Sequence, residues 1–229
     1  MRILILGVGK TGKLVAEVAA QHGHSVHVLD ATENKDGAGL TAPFVAGFDV
    51  IVDFTTPEAV LTNMRACLAT GAKMVIGTTG WYDKLADMKA LAERRGASLL
   101  YGTNFSLGVQ KMLELTRAMA SVLKDSGYTF AVAETHHESK LDSPSGTAIT
   151  LADTVTAALG AQEVPIRATR TGDVAGIHSV IATGPDDSIT LTHESTSRRP
   201  FAEGAVRAAE WLVEAKPGVY DLRAVFGKL

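Results

Sequence analysis

Cysteine is nearly absent from this 229-residue chain: Cys67 is the single one, so no intrachain disulfide can form. It falls inside an apparent amphipathic helix and reads as a small buried hydrophobe, not a reactive thiol. No polybasic run appears, and the net charge of −3 leaves no electrostatic footprint for nucleic acid. No stretch approaches the ~18–20 apolar residues of a membrane span. The opening Met1-Arg2-Ile3-Leu4-Ile5-Leu6 runs too soon into glycine to be the hydrophobic region of a secretory signal. These absences predict a cytoplasmic protein with no nucleic-acid or membrane partner. Internal repeats and low-complexity segments are lacking too. What remains, at 46% hydrophobic, is ample for a core, in a chain too long for one minimal domain and short for two large ones.

The first hundred residues alternate short β-like runs with amphipathic helices. Strands are expected at Arg2–Leu6, Val26–Leu29, Val50–Phe54, Lys73–Ile76 and Ser98–Tyr101. Helices are expected at Lys13–His22, from Thr56 (N-cap) and Pro57 to about Ala69, and at Asp83–Arg95. This alternation predicts an α/β, Rossmann-type dinucleotide-binding domain over 1–104. Residues 31–47 carry Gly37, Gly39 and Pro43 with no helical period, and read as a trimmed crossover. A long helix over Phe105–Leu123, with Leu107, Met112, Leu115 and Met119 near one stripe, opens a second domain over 105–201. Strands at Tyr128–His137, Pro165–Thr171, His178–Thr183 and Ser188–His193, with a helix at Thr147–Leu159, make that domain an open α+β mixed sheet. A last helix, Ala202–Glu214, precedes the tail.

Gly7-Val8-Gly9-Lys10-Thr11-Gly12 is G-x-G-x-x-G, a weak signal alone but here placed directly after a strand and opening a helix. Gly7 allows the tight turn, Gly9 lets backbone approach a pyrophosphate, and Gly12 lets helix and strand pack closely. The helix N-terminus supplies donors for the phosphates. Asp30 ends the second strand, where an acid binds the adenine ribose 2′-hydroxyl. No arginine follows it, which favours NADH over NADPH. Gly77-Thr78-Thr79-Gly80 and Gly102-Thr103-Asn104-Phe105 follow later parallel strands, where small and hydroxylic residues suit a nicotinamide.

The segment Glu134-Thr135-His136-His137-Glu138-Ser139-Lys140-Leu141-Asp142-Ser143-Pro144-Ser145-Gly146-Thr147-Ala148 carries the chemistry. Adjacent histidines invite a metal, but strand neighbours point to opposite faces and no third ligand has zinc-type spacing; no metal is expected. A histidine, a following lysine and a Ser-Gly-Thr turn opening a helix instead combine a proton donor with two anion-binding elements.

H-H-x-x-K-x-D-x-P-S-G-T-A resembles the signature of the dihydrodipicolinate reductases, and the resemblance spans nearly the whole chain. It includes the glycine loop, Gly77–Gly80, Asn104-Phe105-Ser106, Arg170, Gly172, Gly176, His178, His193, Ser197-Arg198, Phe201–Ala205 and Gly218–Asp221. The resemblance implies reduction of the cyclic imine dicarboxylate derived from 4-hydroxy-tetrahydrodipicolinate, in lysine and diaminopimelate biosynthesis, with NADH or NADPH as hydride donor. His136 matches the family's acid/base residue and Lys140 its second proton donor and substrate anchor. His137, Ser145, Gly146 and Thr147 match the substrate-binding turn. A homotetramer, with the C-terminal helix (202–229) returning to the first domain, is also implied. Two departures bear on cofactor choice: Lys10-Thr11 stands where the family usually has Arg-Met, and the crossover after Asp30 lacks the arginine associated with NADPH. Two other readings stand beside this one, an aspartate- or homoserine-dehydrogenase-like reductase and a catalytically silent nucleotide sensor. The Lys-x-Asp-x-Pro-Ser-Gly-Thr run argues against the first, and retention of His136 and Lys140 against the second.

Overall fold

Four consecutive aliphatic side chains, Ile3 to Leu6, are buried in β1 (Arg2–Leu6) of a computed structural model that describes residues 1–160 and 163–227. Next along the chain come α1 (Lys10–Gln21), β2 (Ser25–Leu29), α2 (Ala42–Val45), β3 (Val50–Asp53), α3 (Pro57–Leu68), β4 (Lys73–Ile76), α4 (Leu85–Arg95) and β5 (Ser98–Tyr101). After these come α5 (Leu107–Val122), β6 (Thr129–His136), α6 (Gly146–Leu159), β7 (Ile166–Arg170), β8 (Ile177–Thr183), β9 (Ser188–Glu194), α7 (Arg199–Glu214), β10 (Gly218–Asp221) and α8 (Leu222–Phe226). The chain forms two units, Met1–Ser106 with the segment from Phe201 onward, and Leu107–Pro200.

The first unit is a parallel six-stranded sheet, ordered β10-β5-β4-β3-β1-β2. Its strands are apolar throughout because both faces are covered. Ile3 and Ile5 of β1 and Val50 and Val52 of β3 enter the core shared with α1 and α7. Leu4, Leu6 and Ile51 enter the opposite core, with Val60 and Met64 of α3 and Met88 of α4. Cys67 lies in this second core, and burial pushes its thiol up to about 12, so it packs as a hydrophobe.

The second unit is a four-stranded mixed sheet, β7-β6-β8-β9, with β6 parallel to β7 and antiparallel to β8. β6 alternates strictly: Phe130, Val132, Glu134 and His136 are buried, and the residues between them are not. Phe130 and Val132 pack with Met112 and Ala120 of α5 and Leu151 and Val155 of α6.

Several elements differ from expectation. The crossover over 31–47 holds one short α-turn, α2, and a 3₁₀ turn at Lys35–Gly37. The first helix starts at Lys10, directly on the glycine loop, and α7 starts at Arg199. β10, pairing Gly218–Asp221 with Ser98–Tyr101, is a strand not expected from the sequence. The stripe assigned to α5 is also corrected. Leu107 and Leu115 are 42% and 48% exposed, and the buried face runs instead through Val109, Met112, Thr116 and Ala120.

Candidate active site

In the first unit, Gly7 adopts φ +102°, and a Cβ there would lie 2.3 Å from the Phe54 carbonyl oxygen. A Cβ at Gly12 would lie 2.2 Å from the Gly7 oxygen, so helix and loop close only around glycine. At Gly9, by contrast, nothing lies within 4 Å of a Cβ position: this is the open spot where a phosphate can approach backbone. Gly9 is the N-cap of α1 with no side-chain cap, and no acid sits in the first turn to compete with an anion. A cleft of about 310 Å³ is lined by Gly9, Lys10, Thr11, Gly77, Thr78 and Thr79, together with Phe54, Thr55 and Pro57, which the sequence did not single out. Val8 is 43% exposed at the loop tip. These features fit a dinucleotide.

Other expected cofactor contacts are partly committed elsewhere. The Thr78 hydroxyl is turned inward, donating to Asp53 Oδ1 at 2.8 Å and accepting from Thr55 N–H. Asp53 is fully buried and also accepts from Thr55 N–H, the Thr55 hydroxyl and Asn63 Nδ2. The Thr78 side chain therefore braces the loop. Asp30 Oδ1 accepts from Thr32 and Glu33 N–H at 2.7 and 2.9 Å, capping the turn after β2. Phe105 is buried against Phe54, with ring centroids 5.9 Å apart, and Asn104 Oδ1 accepts from Ser106 N–H. Gly102 is pressed against Leu222, 2.2 Å from a Cβ position, and Thr103 lies next to it in the loop after β5.

In the second unit, His136 is 7% exposed at the end of β6, and His137, just beyond the strand, is only partly buried. His136 Nδ1 lies 3.2 Å from Glu134 Oε2, although without hydrogen-bond geometry. Glu134 also accepts from the Ser145 N–H at 2.9 Å, the Ser145 hydroxyl, and Arg170 Nη2 at 3.0 Å. Burial alone would push the Glu134 carboxyl up; His136, Ser145 and Arg170 outweigh it and hold it well below the usual carboxylate range. Register explains the convergence: Glu134 pairs across to His178 on β8, and His136 to Arg170 on β7. Ser145 N-caps α6, accepting from Ala148 N–H, so Glu134 ties the histidine strand to the helix start that carries Gly146 and Thr147.

Lys140 Nζ lies 2.6 Å from Asp142 Oδ1, and His137 Nδ1 lies 2.8 Å from the Ser139 hydroxyl. Burial first, then the positive charges of Arg198, Lys140 and His136, lower the His137 pKa, with Asp173 opposing. Arg198 and Lys140 thus bring cationic groups to the loop around His137, with Asp142 and Asp173 beside them. Glu134, His136 and His178 also bring three ligand-type atoms within 4.8 Å of one another, a grouping that needs sheet register and so escaped the spacing argument. Both Glu134 oxygens already serve Ser145 and Arg170.

His178 makes the fold sensitive to acid. Burial, helped by His136 and opposed by Glu134, holds its imidazole down to about 4. An unfolded histidine takes its proton near ~6.5. The unfolded chain therefore binds more protons between those values, and stability falls as pH drops through that window, by roughly 3 kcal/mol for a fully buried group. Below about 4.5 the depressed Glu134 adds a further loss. His137 and His193, both lowered chiefly by burial, act in the upper window too. The melting temperature is expected to fall between pH 6.5 and 4.5, with a shallower slope in His178→Gln. An unchanged slope would remove His178 from this account.

Residues 1–105 match the family described as "Dihydrodipicolinate reductase, N-terminus", and residues 108–226 match "Dihydrodipicolinate reductase, C-terminus". The chain belongs to the dihydrodipicolinate reductase family. It is an oxidoreductase of lysine biosynthesis. Among similar proteins, the 4-hydroxy-tetrahydrodipicolinate reductase of Methanopyrus kandleri is 38% identical, with 97% of this chain and 80% of that protein covered. The reductase of Christiangramia forsetii is 35% identical, with 100% and 99% covered. A solved dipicolinate-bound dihydrodipicolinate reductase from Paenisporosarcina sp. TG-14 superposes with a TM-score of 0.76 at 24% identity, over 98% of this chain and 99% of that one. The dihydrodipicolinate reductase fold thus accounts for both sheets. Among the described residues, no helix is long and apolar enough to cross a membrane.

Proposed function

We propose that this chain reduces 4-hydroxy-tetrahydrodipicolinate, or its dehydrated cyclic imine, to tetrahydrodipicolinate, with His136 as the general acid. Loss of the 4-hydroxyl as water gives the conjugated cyclic imine; the glycine loop of the first unit would hold a nicotinamide cofactor, whose hydride at ring carbon C4 together with one proton would balance the two-electron reduction. The observation that carries the reading is the convergence in the second unit. His136 stands on an ionised Glu134 that also fixes the N-terminus of α6, and Lys140 and Arg198 surround the neighbouring His137 with positive charge. A dicarboxylate is the substrate class such a site takes: helix N–H groups at Gly146 and Thr147 suit one carboxylate. Lys140 and His137 suit an anion as well. An ammonium has three donors, so Lys140 can hold Asp142 and a substrate carboxylate together. Oxidation of NADH, followed in a coupled assay with the preceding aldol enzyme, pyruvate and aspartate semialdehyde, tests this. No oxidation above a no-enzyme control would refute it.

NADH as the favoured cofactor rests on Asp30. Its Oδ1 caps the local turn, and Oδ2 is the oxygen assigned to the ribose hydroxyls. A carboxylate there repels a 2′-phosphate. Asp30→Ala is expected to raise KM for NADH several-fold and to leave KM for NADPH unchanged or lower. A native enzyme that strongly prefers NADPH would contradict the assignment and point to Lys10 or Lys35.

A homotetramer in the cytoplasm completes the proposal. It is supported by the face of the second sheet away from its helices, where Ala131, Ala133 and Thr135 of β6 and Ile177, Ser179 and Ile181 of β8 are only half-buried. Light scattering should return four times the 24.1 kDa protomer mass; a monomer mass would end that part of the reading.

A further inference from the structure

The turn between α1 and β2 carries two histidines that play no part in the reductase site. His22 caps the C-terminus of α1, and His24 follows one glycine later. Glu203 and Glu210 meet them from α7, seven residues apart and so on one helix face. His22 Nδ1 lies 3.3 Å and His24 Nε2 2.9 Å from the same oxygen, Glu210 Oε1. These three atoms all fall within 4.8 Å of one another. The other ring nitrogen of His22, Nε2, lies 3.1 Å from Glu203 Oε2.

We propose that His22 Nδ1, His24 Nε2 and Glu210 form a divalent transition-metal site, filled by zinc, that clips α7 to the α1–β2 turn. Ligand atoms around a tetrahedral ion with bonds of ~2.0–2.1 Å stand roughly 3.3 Å apart, close to the 3.3 and 2.9 Å that separate the two imidazole nitrogens from Glu210 Oε1. Two imidazoles and a carboxylate are a donor set for zinc, nickel or cobalt and a poor one for magnesium or calcium. Glu203 supplies the second argument. A metal-bound histidine characteristically gives its far ring N–H to a carboxylate, which fixes the tautomer and aims the ligating nitrogen. His22 has this arrangement. The side chains of His22, Glu203 and Glu210 are 37%, 36% and 39% exposed, so an ion can enter from solvent and water can complete its shell. His24, at 15%, forms the inner wall.

The test uses the full chain, free of any affinity tag and stripped with chelator. Titration with zinc chloride at pH 7.5, followed calorimetrically, should show one equivalent bound and a higher melting temperature, both reversed by EDTA. Binding should weaken on acidification, because metal and protons compete for the same ligand atoms. His24→Gln and Glu210→Gln should each lower affinity at least tenfold, and Glu203→Gln by about 10–100-fold. Reductase activity of His24→Gln should stay at the wild-type level. The buried Glu134, His136 and His178 group is the rival acceptor. The proposal is overturned if no zinc binds, if a folded His24→Gln or Glu210→Gln binds as wild type, if His178→Gln abolishes binding instead, or if magnesium gives the same response.

Discussion

His136→Gln is expected to lower kcat by about 10²–10⁴-fold, the contribution of a positioned general acid, while NADH affinity measured by fluorescence stays within about twofold on the same ground. Glutamine approximates the shape of the imidazole and can still hydrogen-bond, but it cannot pass a proton at neutral pH. The dinucleotide loop belongs to the other unit and is built from other residues, so cofactor binding gives an internal control. Nδ1 faces Glu134, so in the proposed mechanism Nε2 is the nitrogen that carries the proton to substrate. Gly176 keeps the space beside it open, since a Cβ there would come within 3.1 Å of Nε2. Wild-type kcat in the variant would take His136 out of the mechanism, and a lost NADH signal would mean the substitution acts through the fold.

Glu134→Ala should have the largest effect on stability, roughly 3–5 kcal/mol, the cost of removing one partner from a buried charged group. Arg170 would lose its carboxylate, and the Ser145 N–H and hydroxyl would lose their acceptor, all at the junction of β6, β7 and α6. Glu134→Gln separates structure from chemistry. It keeps an acceptor for Ser145 and most of the volume, so the fold should survive. It removes the negative charge beside His136, so kcat should fall at least tenfold and the alkaline limb of the pH–rate profile, where a general acid loses its proton, should move to lower pH. Urea unfolding checks the alanine variant, and a loss under 1 kcal/mol would show that the network is dispensable. A glutamine variant with an unmoved pH profile would reduce Glu134 to a structural role.

How much of this was legible in the sequence follows from physical causes. Strands buried on both faces are continuous apolar runs, so Arg2–Leu6, Lys73–Ile76 and Ser98–Tyr101 have the same bounds in the sequence reading and the structure. β10 was missed because Gly218–Asp221 is four half-buried residues on a sheet edge, with no apolar run. The α5 stripe was misplaced because Thr116 is fully buried and Gln110 nearly so, and hydropathy cannot assign polar residues to a core face. Glu134 could have been found: strand period two places it on the face of His136. His178 and Arg170 entered the sequence reading only through the family resemblance, and their meeting at Glu134 depends on registers between β6, β8 and β7 that no local pattern encodes. The glycine loop was readable in detail, since each glycine is required by a clash or an opening that backbone geometry sets.

β10 also imposes a schedule on synthesis. Its partner, β5, leaves the ribosome roughly 120 residues earlier, about 6–24 s at ~5–20 residues per second. Throughout that interval β5 is an edge strand whose Leu99 and Leu100 are destined for full burial, and an open apolar edge is a template for pairing with another chain. The Leu107–Pro200 unit emerges whole in the meantime, with every strand of its sheet available. Once Pro200 has emerged, the nascent chain holds the complete Leu107–Pro200 unit attached to a first unit that still lacks both its sixth strand and the α7 layer of its core.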